Sequence, residues 1–141
     1  MTLTLDQARL IVKTALARGR EAGMKPLSVV VVDAGGHTIA FEREDGAAPG
    51  RYALAHGKAN ACVMMGQPGS AIHARAETQA YFVQAMNGIY GGDFVPVKGG
   101  VLIRDAKGRI LGAVGVTGDS SDNDALVASA GIEAAGLTAE S

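Results

Sequence analysis

The sequence predicts an α+β sandwich around a central antiparallel sheet, on three observations. Two apolar runs, "VVVVDAGGHTIAF" and "GGVLIRDAKGRILGAVGV", each break at a short glycine-containing turn, as a β-hairpin does. The segments before, between and after them carry apolar residues at helical spacing. Neither hairpin alternates cleanly between apolar and polar positions, so its strands need cover on both faces, from helices on one side and from more helices or a second subunit on the other.

Each element has a local cause. Thr4 and Gln7 have the spacing of a capping box ahead of Ala8, Ile11, Val12, Ala15 and Leu16, which predicts a first helix to about Arg20, stopped by Gly23. Val29–Val32 and Ile39–Phe41 flank the first turn, "DAGG". The alanine-rich "GRYALAHGKANACVMMG" reads as a second helix bounded by Pro49-Gly50 and Gly66. "SAIHARAETQAYFVQAMNG" reads as one broken or two short helices, with Ser70 and Thr78 as candidate caps. "GGDFVPVKGG" is a loop or a short edge strand, because Pro96 has no N–H for a ladder. The second hairpin turns at "DAKG", and a last helix follows the Ser120–Asp122 cluster, giving a sheet of four or five strands.

The two hairpins form a weak internal repeat: Asp33 overlays Asp105, Gly36 overlays Gly108, and His37 overlays Arg109. In each, the aspartate is placed to bond the turn backbone, and the glycine takes the left-handed position before the return strand. His37 therefore reads first as a solvent-facing exit residue.

Bulk properties narrow the function. The 141 residues are the length of a single domain, taken as 1–141. Thirteen basic against 14 acidic residues leave a net charge of −1, no footprint for nucleic acid or an anionic membrane surface. Cys62 is the lone cysteine, so no intrachain disulfide forms. Asp6 and Arg9 interrupt the N-terminus before a signal-type apolar core, which gives the expectation of a cytoplasmic protein. The close acids of "DSSDND" lack calcium-loop spacing and are explained by helix capping, so no metal is expected. "GVTGDSS" lacks the phosphate-loop pattern, so no nucleotide is expected.

Lys58 interrupts the apolar stripe Leu54, Ala61, Met65 of the second helix, while Tyr52, His56, Asn60 and Val63 lie on another stripe. Either it snorkels to the edge of that stripe, or it enters a pocket as an anion partner or a base. The sequence places an anion-accepting pocket at Lys58, with Gly99 and Gly100 lacking side chains where a ligand approaches the backbone, and with Gly118 and Ser120 at the start of the last helix. Asp33 and Asp45, from the first hairpin, are further candidate walls.

"VVDAGGHTIAFEREDGA", "GKANA", "GGVLIRD" and "GAVGVTGDSSDNDALVASAGIEA", in this order, resemble the GlcG/HbpS family, which includes the C-terminal domain of the PduO corrinoid proteins. The resemblance spans about Leu3 to Leu137. It implies a profilin-like α/β/α fold, homo-oligomers up to octamers, and, in some members, haem binding. Axial candidates here are His37, His56, His73, Met64, Met65, Tyr81 and Tyr90, with Cys62 less suited; His56, midway along its stripe, is preferred to His37. The leading expectation is an accessory protein binding haem or a related tetrapyrrole. The alternative is an enzyme on a small carboxylic acid, performing an isomerisation or proton transfer with Lys58 as base and Asp33 or Asp45 as orienting group. A purely structural role is a third.

Overall fold

The computed structural model describes residues 2–141. Helix α1 (Leu5–Glu21) leads into strands β1 (Ser28–Asp33) and β2 (Thr38–Arg43). Then come α2 (Arg51–Met65), α3 (Gly69–Thr78) and α4 (Ala80–Ile89), the hairpin β3 (Gly100–Arg104) and β4 (Ile110–Thr117), α5 (Ser121–Ala134), and a short β5 (Thr138–Glu140). The five strands form one sheet in the order β2-β1-β4-β3-β5, every neighbour antiparallel. This is the α+β sandwich built on two hairpins that the sequence predicts, with β5 added at the β3 edge.

The valine run explains the layering. Along β1, Val29 and Val31 pack with α1 and α5 through Ile11, Val12, Val127 and Ile132. Val30 and Val32 pack on the other face with Ala55, Ala59 and Cys62 of α2. Helices of the same chain thus cover both faces, and no second subunit is needed to bury the strands. The expected reason for self-association is answered within the chain.

Local chemistry sets the ends. Thr4 caps α1 with the full box: its hydroxyl accepts the Gln7 N–H while the Gln7 side chain accepts the Thr4 N–H. Gly66 closes α2 at φ 63°. The break between α3 and α4 falls at Gln79, with φ −138° and ψ 60°. Ser70 and Thr78 are not caps. Pro68 opens α3, the Ser70 hydroxyl donates to the Ser141 carbonyl, and Thr78 ends α3 with its hydroxyl turned back toward Ala74 and Arg75. "GGDFVPVKGG" is a loop up to the Gly100 that opens β3; it buries Phe94 against α2 and stacks it on Tyr90.

Asp119 staples the α5 entry to the β1 entry, accepting the Lys25 N–H through one oxygen and the Ser120 N–H and Asn123 amide through the other. The Lys25 N–H leads these bonds in holding its carboxyl down at about 2. A carboxyl depressed in the folded state contributes stability that is complete above its ordinary value of 3.8 and is lost as pH falls toward 2. Asp119→Asn is therefore expected to flatten the acid limb of a stability-against-pH profile below about pH 4. An unchanged limb in that variant, measured by urea melts, would show that the staple is not what titrates.

Candidate functional site

Both hairpin turns lie at one end of the sheet, because β1 runs antiparallel to β4 and β3 antiparallel to β4. Their chemistry repeats in detail. Asp33 Oδ1 accepts the N–H groups of Gly35 and His37 at 2.9 and 3.0 Å; Asp105 Oδ1 accepts those of Lys107 and Arg109 at 2.9 Å each. Gly36 and Gly108 sit at φ 84° and 81°. Partial burial pushes the Asp33 carboxyl up, but the His37 and Gly35 N–H groups and the His37 ring together hold it below the usual carboxylate range. At Asp105 the Arg109 N–H is the main cause of the same lowering.

The three histidines have different environments. His37 is 83% exposed; its Nδ1 lies 3.4 Å from Asp33, and its Nε2 has no protein partner among the described residues. His56 is mostly buried, with Nδ1 2.8 Å from Asp93 Oδ2 and Nε2 2.9 Å from the Gly36 carbonyl. His73 places Nε2 3.4 Å from Glu77 on the same helix. Beside His37 a hollow of about 420 Å³ opens between the segment preceding α1 and the turns, walled by Leu3, Ile39, Ile110 and Leu111 with Asp33 at its rim. A histidine oriented through Nδ1 by a carboxylate, with Nε2 open beside an apolar wall, fits the donor chemistry of haem iron.

The other end of the sheet holds Lys58. Leu54, which the sequence places on the Lys58 stripe, is 40% exposed, whereas Ala61 of that stripe is buried together with Ala55, Gly57, Lys58, Ala59, Asn60 and Cys62. The amine donates to the Val116 carbonyl at 2.9 Å and to Asp124 Oδ2 at 3.3 Å, with both charged side chains sealed from solvent. Burial pulls the Lys58 pKa down and pushes that of Asp124 up, each opposed in part by the partner's charge. The anion that Lys58 meets is thus the protein's own.

Gly99 and Gly100 make room for this lysine. A side chain on Gly99, at φ 107°, would begin 2.9 Å from the Lys58 amine, and one on Gly100 2.5 Å from the Lys58 carbonyl and 2.8 Å from the Cys62 sulfur. Gly118, at φ 139°, presses on the Pro26 carbonyl. Ser120 caps α5 by accepting the Asn123 N–H, and Asp124 accepts the Asp119 N–H, so side chains of the chain itself bind at the α5 entry. On the outer side of the two glycines lies a hollow of about 440 Å³ whose cation is Lys98, paired at 3.0 Å with Asp122.

Asp33 pairs with Gly112, four residues along β4 from Val116, which puts it roughly 13 Å from the Lys58 contact. Asp45 borders a separate charged hollow with Arg20, Glu42 and Arg43. The trio Lys58, Asp33 and Asp45 is therefore not assembled. Asp124, the real partner, had a readable signal: it is in phase with the buried stripe Val127, Ala128, Gly131 and Ile132. Burial drives the Cys62 thiol up to about 12, which makes it inert. Among the described residues no three His, Cys, Asp or Glu side chains converge as metal ligands, and no helix is long and apolar enough to cross a membrane.

The chain belongs to the family described as haem degrading protein HbpS-like, which matches residues 3–133. Solved structures agree in fold. The crystal structure of a PduOC:heme complex aligns at 23% identity and TM-score 0.84, covering 95% of each chain. That of HbpS aligns at 30% identity and TM-score 0.81, covering 94% of this chain and 89% of the other. The Klebsiella pneumoniae protein ORFY aligns at 24% identity and TM-score 0.84, covering 96% and 92%. No curated protein matches.

Proposed function

We propose that the protein binds haem or a related tetrapyrrole at the turn end of the sheet, in an accessory rather than catalytic role. One observation carries the reading: His37 alone of the three histidines offers an unpartnered Nε2, and it does so beside the apolar hollow of Leu3, Ile39, Ile110 and Leu111. Family membership and the haem complex of PduOC support it. His37 Nε2 would donate to the iron, Asp33 would orient the imidazole ring, and the four apolar side chains would line the macrocycle. Lys107, on the neighbouring turn, supplies positive charge at the same end for the propionates, whereas Arg109 is paired with Asp105 at 2.7 Å. The iron centre supplies the redox and small-ligand chemistry when bound; the chain supplies the donor and the apolar wall. His56, preferred from sequence as ligand, has both ring nitrogens already engaged and takes a different part.

Titrating apo-protein with haemin is expected to give a Soret shift that saturates near one per chain, is lost in His37→Ala and is kept in His73→Ala. An unsaturable titration, or a His37→Ala variant indistinguishable from the parent, would overturn the reading.

The working form on this proposal is a homo-oligomer. The support is on α4, where Tyr81 and Ile89, two turns apart on one side of the helix, are 70% and 66% exposed. Light scattering is expected to show a discrete assembly that Tyr81→Glu disrupts; a stable monomer at micromolar concentration contradicts it.

A further inference from the structure

His56 stands at a junction that the binding hypothesis leaves unused. Its Nε2 contacts the carbonyl of Gly36, the residue before His37, and its Nδ1 contacts the carboxylate of Asp93 in the loop after α4. A backbone carbonyl only accepts, and an ionised carboxylate only accepts. Both contacts are hydrogen bonds together only when each ring nitrogen carries a proton. A proton on Nδ1 is what makes the contact with the Asp93 carboxylate a hydrogen bond. Removing it leaves the Nδ1 lone pair facing negative oxygen, and one of the two ties is lost.

The surroundings are built for this junction. Asn60, one turn further along α2, donates to the Asp93 carbonyl at 2.8 Å, fixing the loop from the same helix. The Gly36 turn seats so closely on α2 that a side chain there would collide with Asn60 and lie 3.2 Å from Met64. The titratable and charged groups around His56 are few. They are Asp93 on the loop, Tyr52 on its own helix with ring centroids 5.8 Å apart, and Asp33 and His37 on the turn it holds. The Tyr52 hydroxyl is itself engaged with Thr38.

We propose that His56 is a positioning residue: doubly protonated, it ties the β1–β2 turn at Gly36 to the loop at Asp93, and it thereby fixes how His37 is presented to its ligand. This rests on the reading of His37 as the axial donor. Tetrapyrrole uptake is then tightest while both ties hold, because a loosened turn must be ordered on binding.

Two measurements test it. In long-range proton–nitrogen spectra of the apo-protein at about pH 7, His56 is expected to show both ring nitrogens protonated. In Asp93→Asn it is expected to show a neutral ring with the proton on Nε2, since an amide can donate to Nδ1. A neutral His56 ring in the parent overturns the proposal. In haemin titrations at one pH, His56→Ala is expected to bind about tenfold more weakly than the parent, the worth of one charge-assisted hydrogen bond. Asp93→Asn is expected to stay within about twofold of the parent, because its amide keeps a hydrogen bond to Nδ1 and the Nε2 proton keeps the tie to Gly36. Parent-like affinity in His56→Ala overturns it as well. A parent that takes up no haemin defeats the function assigned to His37, and the ring-nitrogen spectra then decide the His56 tie by themselves.

Discussion

Lys58→Ala is expected to cost about 3–5 kcal/mol of folding stability at neutral pH, the scale for removing one partner of a buried ion pair. Asp124 would remain, 1% exposed, without its paired cation, and the Val116 carbonyl would lose its donor. The sign of the pH effect is fixed by the same burial. The Asp124 carboxyl is already raised by desolvation, with Lys58 opposing, and loss of Lys58 raises it further. The folded variant then binds a proton that the unfolded chain does not, so its deficit shrinks as pH falls through that raised value. Urea melts at about pH 7 and 5 should show the gap narrowing. Lys58→Met combined with Asp124→Leu is expected to recover most of the loss, since apolar replacement of a whole buried pair is often neutral or better. That double variant also separates structure from function. Folded, it should bind haemin as the parent does, because the pair lies at the far end of the sheet from His37; lost binding would return Lys58 to the ligand. A single Lys58→Ala variant within about 1 kcal/mol of the parent would mean that the pair contributes little to the fold.

What could be read from the sequence was what local chemistry determines. The Thr4 box and the "DAGG" and "DAKG" turns depend on hydrogen bonds within four residues, so their residues announce them. The β1 burial followed from a valine run that no single wet face could explain. What escaped was set by distant partners. His56 and Asp93 are 37 positions apart and Lys58 and Asp124 are 66, so no spacing rule joins them. Strand β5 is three residues long and exists only because β3 offers it an edge. At Gly99 and Gly100 the absent side chains were legible but their beneficiary was not; the space a ligand was expected to use holds the Lys58 amine and the α2 backbone. Asp124 looked like a helix-start acid because position alone does not separate capping from burial, whereas its phase with Val127 and Ile132 does.

The glycines also supply a pair of substitutions with opposite expected signs. Gly115→Ala is expected to destabilise by about 3 kcal/mol, the upper part of the range for overpacking a core. Its new methyl would run into the backbone carbonyl of Ala55 and lie 3.2 Å from the Ala59 methyl. A helix backbone cannot yield there as a flexible side chain can, so α2 must lift from β4 along its buried face. Gly88→Ala, in the exposed part of α4, meets nothing within 4 Å and is expected to stabilise by about 1 kcal/mol through helix propensity and a less flexible unfolded chain. Thermal melts read both, with shifts of several degrees in opposite directions. The Gly115 result also bears on the ligand end. Helix α2 carries His56, and lifting it should loosen the Gly36 contact, so haemin affinity should fall in Gly115→Ala even where the protein remains folded. Unchanged stability in Gly115→Ala would mean that α2 does not sit against the sheet as closely as the Ala55 contact requires.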